Sequence, residues 1–108
     1  MKWNILSAEE QVAEIKKNSE TKPQVIFKHS TRCSISSMAK NRLDKSEDAN
    51  NADFYYLDLI AHRNISNKVA EEFDIFHESP QVLLIKNGEC IYNESHMGIS
   101  MHEILEQI

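Results

Sequence analysis

Cysteine, glycine and proline each occur only twice in these 108 residues, and tryptophan once. Two cysteines, Cys33 and Cys90, cannot build a disulfide framework. With no CxxC pair and no His/Cys cluster they offer no zinc-binding spacing either, so no metal site is expected. Positive charge is also scarce: the net charge is −5, with acids scattered along the chain. A nucleic-acid partner would call for a basic stripe and is not expected. Long apolar runs are missing, since no segment approaches the roughly eighteen apolar residues of a membrane span. Met1–Ser7 lacks a basic stretch followed by an apolar one, so the expected location is the cytoplasm, with no membrane partner.

What is present suits one compact domain over residues 1–108, because 41% of the chain is hydrophobic, enough for a real core. Ser7-Ala8-Glu9-Glu10 reads as a capping box. It precedes a first helix with Ala8, Val12 and Ile15 on its apolar face and Lys16-Lys17 near its end. Gln24-Val25-Ile26-Phe27-Lys28 is β-branched, apolar and too short for a helix, which predicts a buried strand. From Cys33 the pattern changes to a helical stripe of Ile35, Met38, Ala39 and Leu43, followed by a polar tract over 45–51. Phe54–Asp58 reads as a second strand. Asn64 is placed to cap a helix bearing Ile65, Val69, Ala70 and Phe73.

Pro80 then opens the strand Gln81–Lys86, and Asn87-Gly88 turns it into the return strand Glu89–Glu94. Ser100 is expected to cap a last helix with Met101, Ile104, Leu105 and Ile108 facing inward. The order αβαβαββα, with a parallel crossover followed by a hairpin, predicts an α/β fold of thioredoxin type. Its mixed central sheet has about four strands, with helices on both faces.

Cys33 sits where a strand hands over to a helix. Thiol–disulfide exchange needs a thiolate, and a helix start supplies unpaired N–H groups and partial positive charge that stabilise one. The cations Lys28, Arg32 and Lys40 flank this position, and Arg32 adjoins the sulfur. Ser36 stands three residues on, where a dithiol enzyme keeps its resolving cysteine. A hydroxyl there can donate a hydrogen bond but cannot form a disulfide, so Cys33-Ser34-Ile35-Ser36 is a monothiol motif with Cys33 and Ser36 as candidate catalytic residues. Taken alone, such a motif also describes a helix start with a structural cysteine. A cis Ser79–Pro80 bond at the head of a strand would offer the backbone of Ser79 to an extended thiol substrate. Cys90 reads as a buried structural thiol rather than a resolving one. The histidines 29, 62, 77 and 102 have no partner visible in the sequence for metal or base catalysis.

The stretches His29-Ser30-Thr31-Arg32-Cys33-Ser34-Ile35-Ser36, His77-Glu78-Ser79-Pro80-Gln81 and Ser95-His96 resemble three signatures of the monothiol bacilliredoxins, the YtxJ-like proteins. Val69–Ile75 and Lys86-Asn87-Gly88-Glu89 are similar to thioredoxins generally. The resemblance implies an enzyme that reduces mixed disulfides between proteins and a low-molecular-weight thiol, bacillithiol, with Cys33 as the attacking cysteine. No cofactor would be bound; the small thiol would be a co-substrate, releasing Cys33 in a second exchange. Thr31, Arg32, Ser79, Pro80, Gln81 and His96 become candidates for contact with substrate, His96 through the carboxylates of the small thiol. The implied partners are S-thiolated proteins and the small thiol, with the chain a monomer or weak dimer. The family commonly has proline directly after the cysteine, where this chain has Ser34.

Two other classes of function compete. One is a non-catalytic binding module of the same fold, in which Cys33 is a redox-sensitive mark that alters partner binding. The other is an iron–sulfur carrier of the monothiol glutaredoxin kind, which would require a Cys-Gly-Phe-Ser signature that this sequence lacks.

Overall fold

The computed structural model describes residues 3–31, 33–46 and 51–108. In chain order these form β1 (Asn4–Ile5), α1 (Glu10–Asn18), β2 (Gln24–His29), α2 (Ser34–Asp44), β3 (Asp53–Asp58), α3 (Arg63–Phe73), β4 (Gln81–Lys86), β5 (Glu89–Ser95), a 3-10 turn at His96–Gly98 and α4 (Met101–Glu106). The strands make one mixed sheet in the order β1-β3-β2-β4-β5. β3 runs parallel to both β1 and β2, and β4 antiparallel to β2 and β5. The sheet therefore has one strand more than expected. Asn4–Ile5 is too short to leave a periodic signal and is defined only by pairing with Tyr55 and Tyr56. Of the polar tract expected after α2, residues 47–50 lie outside the described residues.

Every residue of β2 is buried, as a central strand covered on both faces requires. Its alternation divides the core. Val25 and Phe27 join Ala39, Leu43, Phe54, Val82, Leu84, Ile99 and Ile104 beneath α2 and α4. Ile26 joins Leu6, Val12, Ile15, Leu57, Ile65, Val69, Leu83 and Ile85 beneath α1 and α3. Trp3 closes the first layer by stacking on Phe27 at 5.7 Å and donating its indole N–H to Asp44 Oδ1 at 2.6 Å. In the β4–β5 turn, Asn87 and Gly88 both take positive φ (53° and 79°), as a two-residue hairpin demands.

Several local expectations are corrected. Ser7 does not cap α1. Instead Gln11 Oε1 accepts the N–H groups of Ser7 and Ala8, and Glu9 is the residue preceding the helix. His62, not Asn64, precedes α3, and Asn64 Nδ2 donates to Glu9 Oε2. Ser100 does cap α4, accepting the Glu103 N–H, but Leu105 on that helix is exposed. The largest difference is on α2, whose buried residues are Ser36, Ala39 and Leu43. Ile35 and Met38, expected to face inward, are 40% and 50% exposed. The inward face begins one residue later than the apolar pattern suggests because Ser36 is drawn in by polar partners.

Candidate active site

Hydrogen bonds carry Cys33 from the end of β2 to the start of α2. The Cys33 N–H donates to the Ser30 carbonyl oxygen at 3.2 Å, and the Cys33 carbonyl accepts the Ser37 N–H at 3.0 Å. Cys33 is extended (φ −110°, ψ 122°) and occupies the N-cap of α2, the position whose side chain lies nearest the unpaired N–H groups of the first turn. Its side chain makes no capping bond, and the residue is half-buried.

Behind it, Ser36 is fully buried. Its Oγ accepts the Ser30 N–H at 2.9 Å and lies 2.8 Å from His29 Nδ1. The hydroxyl that stands in place of a resolving thiol is thus committed to the turn that holds the sulfur. A chain of contacts runs from the His29 ring through Ser36 and the Ser30 peptide to the Cys33 N–H. The His29 ring is stacked on Phe27 and tilted against Tyr56. Burial holds its pKa below the ordinary histidine value. Lys40 adds to this, while Asp58, the bond to Ser36 and Asp44 oppose it. Ser36→Ala strands both the Ser30 N–H and the imidazole nitrogen, so it is expected to lower stability by about 1–3 kcal/mol in urea unfolding.

Two of the three cations that flank Cys33 in sequence, Lys40 and Lys28, are engaged elsewhere. Lys40 Nζ binds Asp44 at 2.7 Å and lies 5.5 Å from the centre of the Tyr56 ring. Lys28 points to the other face of the sheet, fully buried, where Nζ donates to the Ser66 carbonyl and to His77 Nδ1, each at 3.3 Å. Arg32 lies outside the described residues.

The register brings the second and third signatures to the same end of the sheet. Lys28 pairs with Gln81, and Gln81 with Ser95, so residues 79–80 and 95–96 flank the end of β2 from which the turn to Cys33 departs. The Ser79–Pro80 bond is cis. Pro80 is buried and its carbonyl accepts the His96 N–H at 3.0 Å, while Ser95 Oγ donates to Glu78 Oε2. His96 is exposed with a left-handed φ of 57°, and its turn packs against α2. Ser79 is half-buried and Thr31 exposed. Gln81 does not face a groove. It is buried, with Nε2 donating to the Phe76 carbonyl and Oε1 accepting the Glu78 N–H, so it braces the loop before Pro80.

A family model described as monothiol bacilliredoxin BrxC matches residues 4–104. The chain belongs to the monothiol bacilliredoxin family. Among solved structures, a protein described as a candidate oxidoreductase with a thioredoxin fold is similar at 29% identity and a TM-score of 0.82, covering 94% of this chain and 89% of that one. Thioredoxin of Malassezia sympodialis (18% identity, TM-score 0.76, covering 98% and 87% of the two chains) and thioredoxin of Trypanosoma brucei brucei (15%, 0.74, 98% and 86%) share the fold. Family and fold together make this bacilliredoxin a thiol oxidoreductase. Among the described residues no helix is long and apolar enough to cross a membrane.

Sequence reasoning left two contributors to this site, His29 and His77, without a role. His29 and His77 lacked partners because Ser36 and Lys28 reach them only through the fold. Lys28 did carry a signal, following the apolar run Val25-Ile26-Phe27 in a strand buried along its whole length, although its place in the sequence reads as that of a cation for Cys33. The exposed Ile35 and Met38 on α2 were hidden by a helical pattern that reads them as core, and Met97 on the neighbouring turn, 63% exposed, lies in no periodic pattern.

Proposed function

We propose that this bacilliredoxin reduces mixed disulfides between bacillithiol and protein cysteines by a monothiol cycle at Cys33. The Cys33 thiolate attacks the bacillithiol sulfur of the mixed disulfide. The bond to the protein sulfur breaks, and the protein leaves as a thiolate that takes up a proton. A second bacillithiol thiolate then attacks the bacillithiol sulfur held on Cys33, releasing bacillithiol disulfide and restoring the Cys33 thiolate. The number of disulfides is conserved: the protein sulfur is reduced to a thiol, the second bacillithiol is oxidised from thiol to disulfide, and the first stays at the disulfide level throughout.

The observation that carries the single-cysteine cycle is where Cys90 lies. It pairs with Ile85, four residues along β4 from Gln81, which places it about 13 Å along the strand from the end of the sheet at which Cys33 is held. Its thiol donates to the Tyr92 carbonyl, and burial raises its pKa, so it is a poor nucleophile near neutrality. With no second thiol in reach of Cys33, release has to come from outside the chain. The N-cap position favours negative charge developing on the sulfur. The exposed Ile35, Met38 and Met97 around that helix start suit the apolar surface of a protein substrate. We assign Ser36 and Gln81 to holding the turn and the loop, and Thr31, Ser79, Pro80 and His96 to the substrate side. Arg32 stays with them on its sequence position alone. A cytoplasm that supplies reduced bacillithiol is the setting this cycle needs.

The test is turnover of a bacillithiolated protein with bacillithiol as the only reductant, in the wild type and in Cys90→Ser. Equal turnover in both, with bacillithiol disulfide accumulating, is expected. Loss of turnover in Cys90→Ser would contradict the cycle.

A further inference from the structure

A lysine with no exposed surface near the end of a central strand is costly, because an ammonium leaves water for an apolar layer. Lys28 meets that cost with two hydrogen bonds. One goes to the Ser66 carbonyl of α3 and the other to His77 Nδ1, which Ser66 Oγ also approaches at 3.2 Å. With a lysine and a hydroxyl both directed at it, Nδ1 acts as the acceptor, which assigns the His77 proton to Nε2. His77 begins the segment that runs through Glu78 and Ser79 into Pro80. Two residues of the paired strands hold this segment from within: Lys28 through His77, and Gln81 through Phe76 and Glu78. Gln81 is the register partner of Lys28.

We propose that Lys28 and His77 are positioning residues for substrate, setting the place of the 76–79 loop beside Cys33 and with it the affinity for the protein part of a mixed disulfide. This rests on the exchange reaction proposed above. The contact works in one charge state, an ammonium donating to a neutral imidazole. The groups facing it are Arg63 and Ser66 from α3 and Glu78 from the loop. Burial lowers the Lys28 pKa to about 8. Burial also lowers that of His77, with Lys28 and Arg63 adding to the effect and Glu78 opposing it. Near neutrality the pair is therefore in its bonding form. As pH rises through about 8 the amine loses its charge and becomes a weaker donor. As pH falls through the His77 pKa, Nδ1 gains a proton, stops accepting and repels the ammonium. The loop is held best within that window.

The experiment compares wild type, Lys28→Met and His77→Leu. The second replaces an exposed residue and keeps the test valid if the buried substitution disturbs folding. KM for a bacillithiolated peptide, the rate of Cys33 alkylation by iodoacetamide, and amide hydrogen exchange over residues 76–79 are measured at about pH 7 and about pH 9. Both variants are expected to raise KM about fivefold to tenfold at the lower pH and to speed loop exchange by a similar factor, a loss of the order of one hydrogen bond. Cys33 alkylation is expected to stay within about twofold of wild type, since no part of the turn from Ser30 to Cys33 is touched. Wild-type KM is expected to rise toward the higher pH, and the Lys28→Met value to stay flat. Unchanged KM and unchanged loop exchange in both variants would overturn the proposal. So would alkylation falling in step with KM, which would mark a general disturbance of the site. If wild type does not turn over the peptide, the exchange reading fails, and unaltered loop exchange in the variants would still reject the Lys28–His77 device on its own terms.

Discussion

Cys33→Ser is expected to reduce disulfide exchange to the uncatalysed level while leaving the fold in place. In the proposed cycle the Cys33 sulfur both attacks the disulfide and holds the small thiol covalently. A serine hydroxyl is fully protonated near neutrality and forms no disulfide. Cys90 cannot substitute for it, because it lies four residues along β4 from the level of Gln81 and donates its thiol proton to the Tyr92 carbonyl. Serine is close to cysteine in size and is itself a preferred N-cap residue, so α2 should start at the same place. The check is turnover of a bacillithiolated peptide alongside urea unfolding. Activity absent with the unfolding midpoint preserved is the expected result. Measurable turnover in Cys33→Ser would move the chemistry to another residue.

The second large effect is on stability as a function of pH, and it also comes from Lys28. Its folded pKa, about 8, lies below the ordinary lysine value of 10.5. Below about pH 8 both folded and unfolded chains carry the proton, and the full cost of burying the charge weighs on the folded state. Between about 8 and 10.5 the folded chain releases the proton while the unfolded chain keeps it, so stability rises with pH. Above that range both states are neutral and the penalty is gone. At 1.36 kcal/mol per unit the gain amounts to about 3 kcal/mol over the whole range. Other groups titrate there too, so the quantity to measure is the difference in unfolding free energy between wild type and Lys28→Met. That difference is expected to shift in favour of wild type by about 2–3 kcal/mol between about pH 7 and pH 10. A difference independent of pH would mean that Lys28 is not buried as a cation at neutrality.

The lysine illustrates what the sequence could and could not convey. Strand and helix order followed from periodicity and from Asn87-Gly88, because burial on one face or two leaves a repeating pattern. The cysteine at the strand-to-helix junction and the serine three residues later were visible as spacing. Contacts between residues distant along the chain were not. Ser36 with His29 and Lys28 with His77 are polar pairs that only the register and helix docking bring together. Each adds what spacing does not show: the hydroxyl in place of a resolving thiol supports a turn, and a cation that flanks the thiolate in sequence lies across the sheet. The apolar stripe of α2 misled for a related reason. Hydrophobicity at helical spacing does not say which face a helix buries when a serine on that helix has buried partners to reach and leaves Ile35 and Met38 exposed. The strand at Asn4–Ile5 was missed because two residues carry no period at all.

The central claim, a nucleophile that works alone and is released by a small thiol, is tested most directly by intact mass and peptide mapping. The reduced protein is treated with a bacillithiol mixed disulfide and then with excess bacillithiol. One bacillithiol on Cys33, none on Cys90, and complete removal in the second step is the predicted result. A bridge between Cys33 and Cys90, or no adduct on Cys33 at all, would contradict it.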